Sequence, residues 1–448
     1  MTMRLDDFLD LLFRKAREAG LTEFEAYASS GDSFEASVHA GELIAYNVSS
    51  AAGLGFRAKV NGRMGYASTQ ALDEDAADML VKGAVTSATL TETDDPQFIF
   101  EGAETPKLEL YNPALDVIPD AEKVQMALDL EKKALAVDKR ISTDGCAVFY
   151  SAGGRRIVNS KGMDAAFRDN AIGAYVSAVA RDGARAGSAY RIAMGRSGAP
   201  DFDKLAREAS REALDFLTAE PVPSGSYPVV LRASAALELL AAFADAFSAD
   251  EAQRGLSPLK GREGEVVAAG CVTLLDDPLN PTGLAASPFD GEGVPARHKA
   301  VIDGGKLTAL LHNLKTAAKQ GVSSTGNAAR GYSSAISVAP TNFYFQPSEE
   351  PLSKLLARAE GGLLITELQG MHSGADAVSG DFSLSAKGYR IENGAVGRSV
   401  DQITVAGNFY ELLKQVLAVA CDLEFGQPGR SCFGSPSILV EKLSIAGK

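Results

Sequence analysis

GLLITELQGMHSGADAVSGDFSLSAKGYRIENGAVGRSVDQITVAGN, residues 362 to 408, decides how this 448-residue chain folds. Leu363–Leu368 is an apolar run of strand length. Ser379-Gly380-Asp381 is a turn, and Phe382–Ile391 alternates at period two into Asn393-Gly394, the dipeptide that most strongly marks a two-residue hairpin. Two further short strands and a helix are expected to follow. Outward from it, residues 223–448 read as one strand-rich domain, with strand Tyr227–Arg232, helix Ser234–Phe247 and a loop Val272–Pro295 containing Asp276-Asp277-Pro278. Then come hairpin His298–Leu311 around Asp303-Gly304-Gly305, helix Asn313–Gln320, loop Thr325–Ala328, strand Ala335–Phe345 and helix Leu352–Ala359. Helix Phe409–Ala420 and strand Ser437–Ile445 close the chain. So much alternation predicts a curved or barrel-like sheet, which disposes of exposed edges.

The N-terminal half reads as helix-flanked antiparallel meanders, so the fold class is α+β. Apolar residues at Leu5, Phe8, Leu9, Leu12, Phe13 and Ala16 predict a helix to Ala19, ended by Gly20. Strands are expected at Phe24–Ser29, Ser33–Ala40, Leu43–Ser49, Gly53–Val60 and Met64–Ser68. Helix Asp73–Leu90 carries acids in its first turn, as the helix dipole favours. Thr91–Pro119 is a linker. The order recurs in helix Ala121–Val137, strands through Ile141–Met194 and helix Phe202–Ala219, with Asn61-Gly62-Arg63-Met64-Gly65 echoed by Asp182-Gly183-Ala184-Arg185-Ala186-Gly187. Internal duplication and independent recurrence of a common motif both produce such an echo. The expected domains are 1–105, 106–222, which can pack with the first as one unit, and 223–448.

Composition narrows the function. Lys and Arg number 44 against 58 Asp and Glu, so the net charge is 44 − 58 = −14, and no basic cluster tracks a phosphate backbone. Direct nucleic-acid binding is not expected. The N-terminus carries acids inside its apolar run and lacks a cleavage site for a secretory signal, and no apolar run reaches membrane-spanning length. A soluble cytoplasmic protein follows. Cys146, Cys271, Cys421 and Cys432 form no CxxC pair and read as free thiols.

The pattern GLLITEL…SGDFSLSAKGYRIENG…ITVAGN, with Thr325-Gly326-Asn327 upstream, resembles the C-terminal signature of the PmbA/TldD family of two-subunit proteases. The resemblance covers the whole chain. In that family the active partner carries HExxxH on a helix after a strand like Tyr227–Arg232, completed by a later cysteine. Zinc suits such ligands, and the glutamate takes a proton from bound water. The matching positions here are Leu240, Ala241 and Asp245, and no histidine occurs between His39 and His298. The helix instead reads as a buried one, with Leu237, Leu240, Phe243, Ala244 and Phe247 on its apolar face. Cys432 lies near the family's cysteine position without histidines to complete a site.

Similarity to the PmbA branch, also called TldE, implies a non-catalytic subunit that pairs with a TldD-like, HExxxH-bearing chain in a zinc metalloprotease acting on unfolded peptides. The older label of that branch is modulator of DNA gyrase. No catalytic residue, metal or other cofactor is then expected in this chain. The candidate substrate or partner face is Thr325, Gly326, Asn327, Glu367, Gly380 and Asp381. Two other readings compete: a stand-alone homodimer that binds peptides or a partner without proteolysis, and an autonomous hydrolase using carboxylates such as Glu367 with Asp381. Asp276-Asp277 is a weaker carboxylate pair, since sequence neighbours point apart. There is no GxSxG, and Asn327 stands where a P-loop needs lysine.

Overall fold

The computed structural model describes residues 3–92 and 95–448. Its N-terminal half begins with α1 (Leu5–Glu18), whose buried stripe includes Phe8, Leu12 and Ala16. Three antiparallel strands follow, β1 (Phe24–His39), β2 (Glu42–Val60) and β3 (Arg63–Thr69), then α2 (Glu74–Leu90), N-capped by the Asp73 side chain. After a short turn of helix, α3 (Pro113–Asp116), the order repeats as α4 (Asp120–Leu135), β4 (Ile141–Asn159), β5 (Asp164–Asp182), β6 (Arg185–Gly195) and α5 (Phe202–Asp215). The six strands form a single half-barrel sheet in the order β3-β2-β1-β4-β5-β6. Two separate cores lie under it. One joins Phe8 and Leu12 to Phe56 and Leu80, and the other joins Leu130 to Val148, Val176 and Leu205.

The four expected strands between Phe24 and Val60 are two long ones. Ser30-Gly31-Asp32 reads as a break, yet Gly31 pairs with Ala51 on β2 and with Gly153 on β4. Ladder hydrogen bonds on both sides outweigh weak local strand preference there. Asn393-Gly394 turns as its dipeptide predicts, and it shares with Ala40-Gly41 and Asn61-Gly62 a positive φ at both residues, the type I′ geometry whose twist matches the flanking strands. Buried Glu131 of α4 accepts from the backbone N–H groups of Ala40 and Gly41, at 2.9 and 2.8 Å, and so ties the first hairpin to the second repeat.

The C-terminal half holds the barrel. Strands Ala395–Asn408, Asp381–Glu392 and Leu363–Gln369, then β7 (Gly225–Leu231) and Ile438–Ala446, pair in that order, and Thr404–Ala406 pairs with Ser444–Ala446 to close five strands on themselves. A second sheet, built on Leu274–Asp276, Lys299–Asp303, Asn342–Phe345 and Cys432–Ser435, shares its core. Between them runs α6 (Ala233–Phe243), which continues as a tighter turn through Phe247. Three expectations fail here. Leu274–Asp276 is a strand inside the expected loop, Ala335–Phe345 breaks around Ala339-Pro340, and the helix from Phe409 ends at Lys414. The chain then extends as Val416–Val419 because those residues complete a ladder with Ile438–Val440, a tertiary demand that local helical spacing does not contain. No helix among the described residues is long and apolar enough to cross a membrane.

Gly65 and Gly187 occupy the third position of β3 and β6. A Cβ at Gly65 would stand 1.8 Å from the carbonyl oxygen of Ala84 in α2, and one at Gly187 would stand 2.3 Å from that of Ala213 in α5. Each repeat thus presses its last helix onto its last strand through a bare backbone. Gly65→Ala and Gly187→Ala are each expected to cost roughly 2–4 kcal/mol by forcing helix and sheet apart, read as a lowered midpoint in urea unfolding. An unchanged midpoint for both would show that the helices can shift freely.

Candidate functional site

Leu240, Ala241 and Asp245, the positions that the resemblance assigns to the zinc motif, lie on α6 and the turn after it. Apolar residues dominate this helix because both sides of it are covered. Leu240 and Phe243 are fully buried, Leu237 and Ala241 are half-buried, and Asp245 is exposed. Phe243 stacks on Phe409 with ring centres 4.6 Å apart and meets Phe382 and Tyr410 edge-on. Zinc requires nitrogen, sulfur or oxygen donors. Leu240 and Ala241 have none in their side chains, so these residues do not fit the metal. Among the described residues no group of three or more His, Cys, Asp or Glu is placed to hold one. Cys432 is buried, its sulfur 3.6 Å from the Gly426 carbonyl, and burial pushes its thiol up. His312 is buried against Thr316, while His298 lies 3.0 Å from Asp277.

Thr325, Gly326 and Asn327 are buried in this chain. Asn327 Nδ2 donates to Asp276 Oδ2 at 2.8 Å and to the Ala339 carbonyl at 3.0 Å, and its Oδ1 accepts from the Thr325 hydroxyl. Asp276 has no exposed surface. It also accepts from the N–H and hydroxyl of Thr341 and pairs with Lys299 at 2.8 Å. These contacts brace the loop from Thr325 to Thr341 against the Leu274–Asp276 strand. Asp277 instead faces His298 and Tyr344, so the two neighbouring aspartates do point apart.

Glu367 and Asp381 are not brought together. Glu367 is opposite Lys387 in the ladder, and Asp381 begins that same strand six residues earlier, about 20 Å away at strand rise. Glu367 pairs with Lys387 at 2.6 Å, whereas Asp381 accepts from Asn408 Nδ2 at 2.9 Å. Gly380 has φ +85°, and the Tyr410 ring fills the place of a Cβ. What does accompany Glu367 is Glu238 of α6, which sequence reasoning missed. Burial, then the charge on Glu367, pushes the Glu238 carboxyl up to about 7, and its Oε2 is buried without a partner. No local signal announces such a pair, since 129 positions separate the two residues in a chain numbered to 448.

A buried ion network lies where the sheet meets the C-terminal half. Glu25 of β1 has no exposed surface and lies 2.9 Å from Arg57 Nε on β2, with Arg330 of the C-terminal half bonded to the same oxygen. Arg57 also reaches Glu292 at 3.6 Å. Burial works against charge on Glu25, but the Arg57 and Arg330 guanidiniums hold its carboxyl below the ordinary range. Asp290, fully enclosed beside Glu292, is pushed the other way by burial and by that neighbouring charge. Next to this network opens a cleft of about 410 Å³ with Arg155, Asp169 and Arg196 on the sheet side and Arg330 and Arg430 opposite. Its apolar walls include Tyr27, Phe167 and Phe289. Arg196 is held by the carbonyls of Pro281, Gly283 and Leu284, and burial pushes Asp169 up against the pull of Arg155 and Arg196.

Comparison with known proteins agrees over the whole length. Domain families described as PmbA/TldA metallopeptidase domain 1, central domain and C-terminal domain match residues 24–88, 113–217 and 224–447. A metalloprotease PmbA homolog of Haemophilus influenzae is 29% identical over 406 residues, 88% of this chain and 85% of that one. Metalloprotease PmbA of Escherichia coli O157:H7 is 27% identical over 431 residues, 95% and 92% of the two chains. Among solved structures, a Thermotoga maritima protein carrying the DNA-gyrase-modulator label superposes with a TM-score of 0.91 at 32% identity, covering 99% of this chain and 100% of its own. TldE of Thermococcus kodakarensis has a TM-score of 0.91 at 25% identity, with 98% and 100% covered.

Two stability measurements probe these polar groups. The native Glu238 carboxyl holds a proton that the unfolded chain, near 4.5, has already released. Stability is therefore lost as pH rises from about 4.5 to about 7 and is flat above. Glu238→Gln removes that loss, and at pH 8 it is expected to be the more stable chain by on the order of 2 to 3 kcal/mol, with a smaller gain at pH 5. A gain independent of pH would place the proton elsewhere. Glu25→Gln leaves Arg57 and Arg330 facing each other without their carboxylate, at an expected cost of roughly 3–5 kcal/mol in chemical unfolding.

Proposed function

The chain belongs to the PmbA/TldA metallopeptidase family, and from that premise we propose that it is the cytoplasmic, non-catalytic subunit of a two-chain zinc metalloprotease that acts on unfolded peptides. Its partner is a TldD-like chain that carries HExxxH. The reading rests on one observation above the others: the helix bearing Leu240 and Ala241, which the resemblance matches with Asp245 to the metal motif, is built into an aromatic core, and no histidine occurs between His39 and His298. A helix of a catalytic zinc site must present donor side chains and leave one coordination position open. A helix filled by Leu240 and Phe243 serves packing instead. Likeness to TldE of Thermococcus kodakarensis supports the same assignment.

In this role the chain supplies shape. Its closed barrel offers few free strand edges, while the half-barrel sheet and the cleft beside it offer a surface on which an extended segment can lie. The separation of Glu367 from Asp381 removes the support for an autonomous hydrolase that uses them as a pair.

Peptidase activity on an unfolded substrate is expected from the mixture with an HExxxH-bearing partner and not from this chain alone, and a chelator is expected to abolish it. Activity in the isolated, zinc-free chain would overturn the reading. Zinc and EDTA added in turn are expected to leave the melting temperature of this chain unchanged; a shift of several degrees, as a structural metal worth many kcal/mol gives, would overturn the reading.

A further inference from the structure

The cleft between the sheet and the C-terminal half has a composition that the subunit role does not by itself require. Four guanidiniums line it against two carboxyls, Asp169 and Asp290. Asp290 is enclosed, and both of its oxygens accept backbone N–H groups, from Glu292, Val294 and Ala328. It is occupied by the fold. Arg330 is almost fully buried and bonded to Glu25, yet its Nε has no partner, and Arg196 Nε is likewise buried without one. Buried donors are normally satisfied, and an unsatisfied one costs about 1–3 kcal/mol. Two in one cleft mark a place for an acceptor.

The walls say what kind of acceptor. Arg155 lies over the Phe167 ring at 5.6 Å, and Arg330 lies over Tyr27 at 4.4 Å. With Phe289 and Met194, these rings make an apolar slot beside the cations. Arg430 is exposed at the rim, and one of its nitrogens donates to Ser337 Oγ at 2.8 Å. A second cavity, of about 310 Å³, shares Arg155 and Phe167 with the cleft and extends over small residues of β1, β2 and β4, among them Ser29, Ala52 and Gly154. The charged end and the apolar end are thus adjacent. A ligand that fits both has an anionic terminus, an apolar side chain next to it and an extended backbone leading away.

We infer that this cleft binds the free α-carboxylate of a peptide, with Arg155, Arg196, Arg330 and Arg430 around the carboxylate, the last side chain among Phe167, Tyr27 and Phe289, and the preceding residues in the adjoining cavity. Asp169 lines the same cleft, and the charges of Arg155 and Arg196 act on its carboxyl. The bound carboxylate competes with it. The inference deepens the peptide-handling reading, but it concerns this chain alone and needs neither the metal nor the partner subunit.

The test is a fluorescence-anisotropy titration of the full chain with an N-terminally labelled hexapeptide ending in leucine, prepared as the free acid and as the C-terminal amide. The acid is expected to bind about tenfold more tightly or better, as charge-assisted bonds to guanidinium allow. Arg430→Ala, at an exposed position, and Arg155→Ala are each expected to bring the acid down toward the amide. Asp169→Asn is expected to tighten the acid severalfold and leave the amide unchanged, a gain that damage to the fold cannot imitate. Thermal unfolding of each variant separates lost binding from lost structure. Equal binding of acid and amide, binding of neither, or an Asp169→Asn variant that favours both forms equally would overturn the assignment. Because no partner chain or zinc is present, a failed mixing experiment leaves this result standing, and a failed titration leaves the subunit reading standing.

Discussion

Glu25, held between Arg57 of its own sheet and Arg330 of the C-terminal half, is a buried ion contact that constrains how the two halves sit together. Taking three charges out of water costs several kcal/mol for each, and their mutual attraction repays that only in part here, since Glu25 Oε2, Arg57 Nη2 and Arg330 Nε are buried without a partner. Apolar residues of similar size would hold the halves together at less cost. What the ion network adds is intolerance of alternatives: slide one half by a residue and a guanidinium is left buried without its carboxylate.

A steric constraint points the same way. Tyr332, two residues beyond Arg330, lies against β2 at Gly53 and Gly55, where added Cβ atoms would come within 2.4 Å of its ring and 2.2 Å of its carbonyl oxygen. The loop that carries Arg330 and Tyr332 is braced from behind by Asn327 and Asp276. The Thr325-Gly326-Asn327 motif therefore acts at a distance. It fixes a loop whose far end closes the cleft, which gives these buried residues an influence on the cleft that they do not touch themselves.

Local patterns carried much of this fold. The 3.6-residue period gave α1, the Asn-Gly dipeptides gave hairpins, and dense alternation near Asn393-Gly394 pointed to the closed barrel that forms. Local reading failed where a ladder on both sides overrode a turn-like sequence at Gly31, and where Val416–Val419 was drawn out of a helical pattern by Ile438–Val440. It failed more completely for chemistry. Asp276 looked like a loop aspartate and is an internal hub, while Glu238 beside Glu367 and Glu25 between two arginines had no signal at all. Such pairs are created by the topology that joins distant strands, so no window along the chain contains them.

Electrostatics constrains the cleft further. The chain as a whole carries a net charge of −14, so its long-range field repels anions, and guanidiniums in one cleft do not reverse that at a distance. Beyond a Debye length of about 8 Å at physiological salt the field is screened, and only close contacts count. A free small anion therefore gains little from approaching this protein and meets an Arg196 that is already held by carbonyls. A ligand that first buries an apolar side chain against Phe167 and Phe289 is different. Its anion is delivered into the cleft by that contact, at contact distance from Arg155 and Arg196. Discrimination between a peptide terminus and a simple carboxylate then arises from the order of the walls, apolar beside cationic, and needs no excess of positive charge over the protein as a whole.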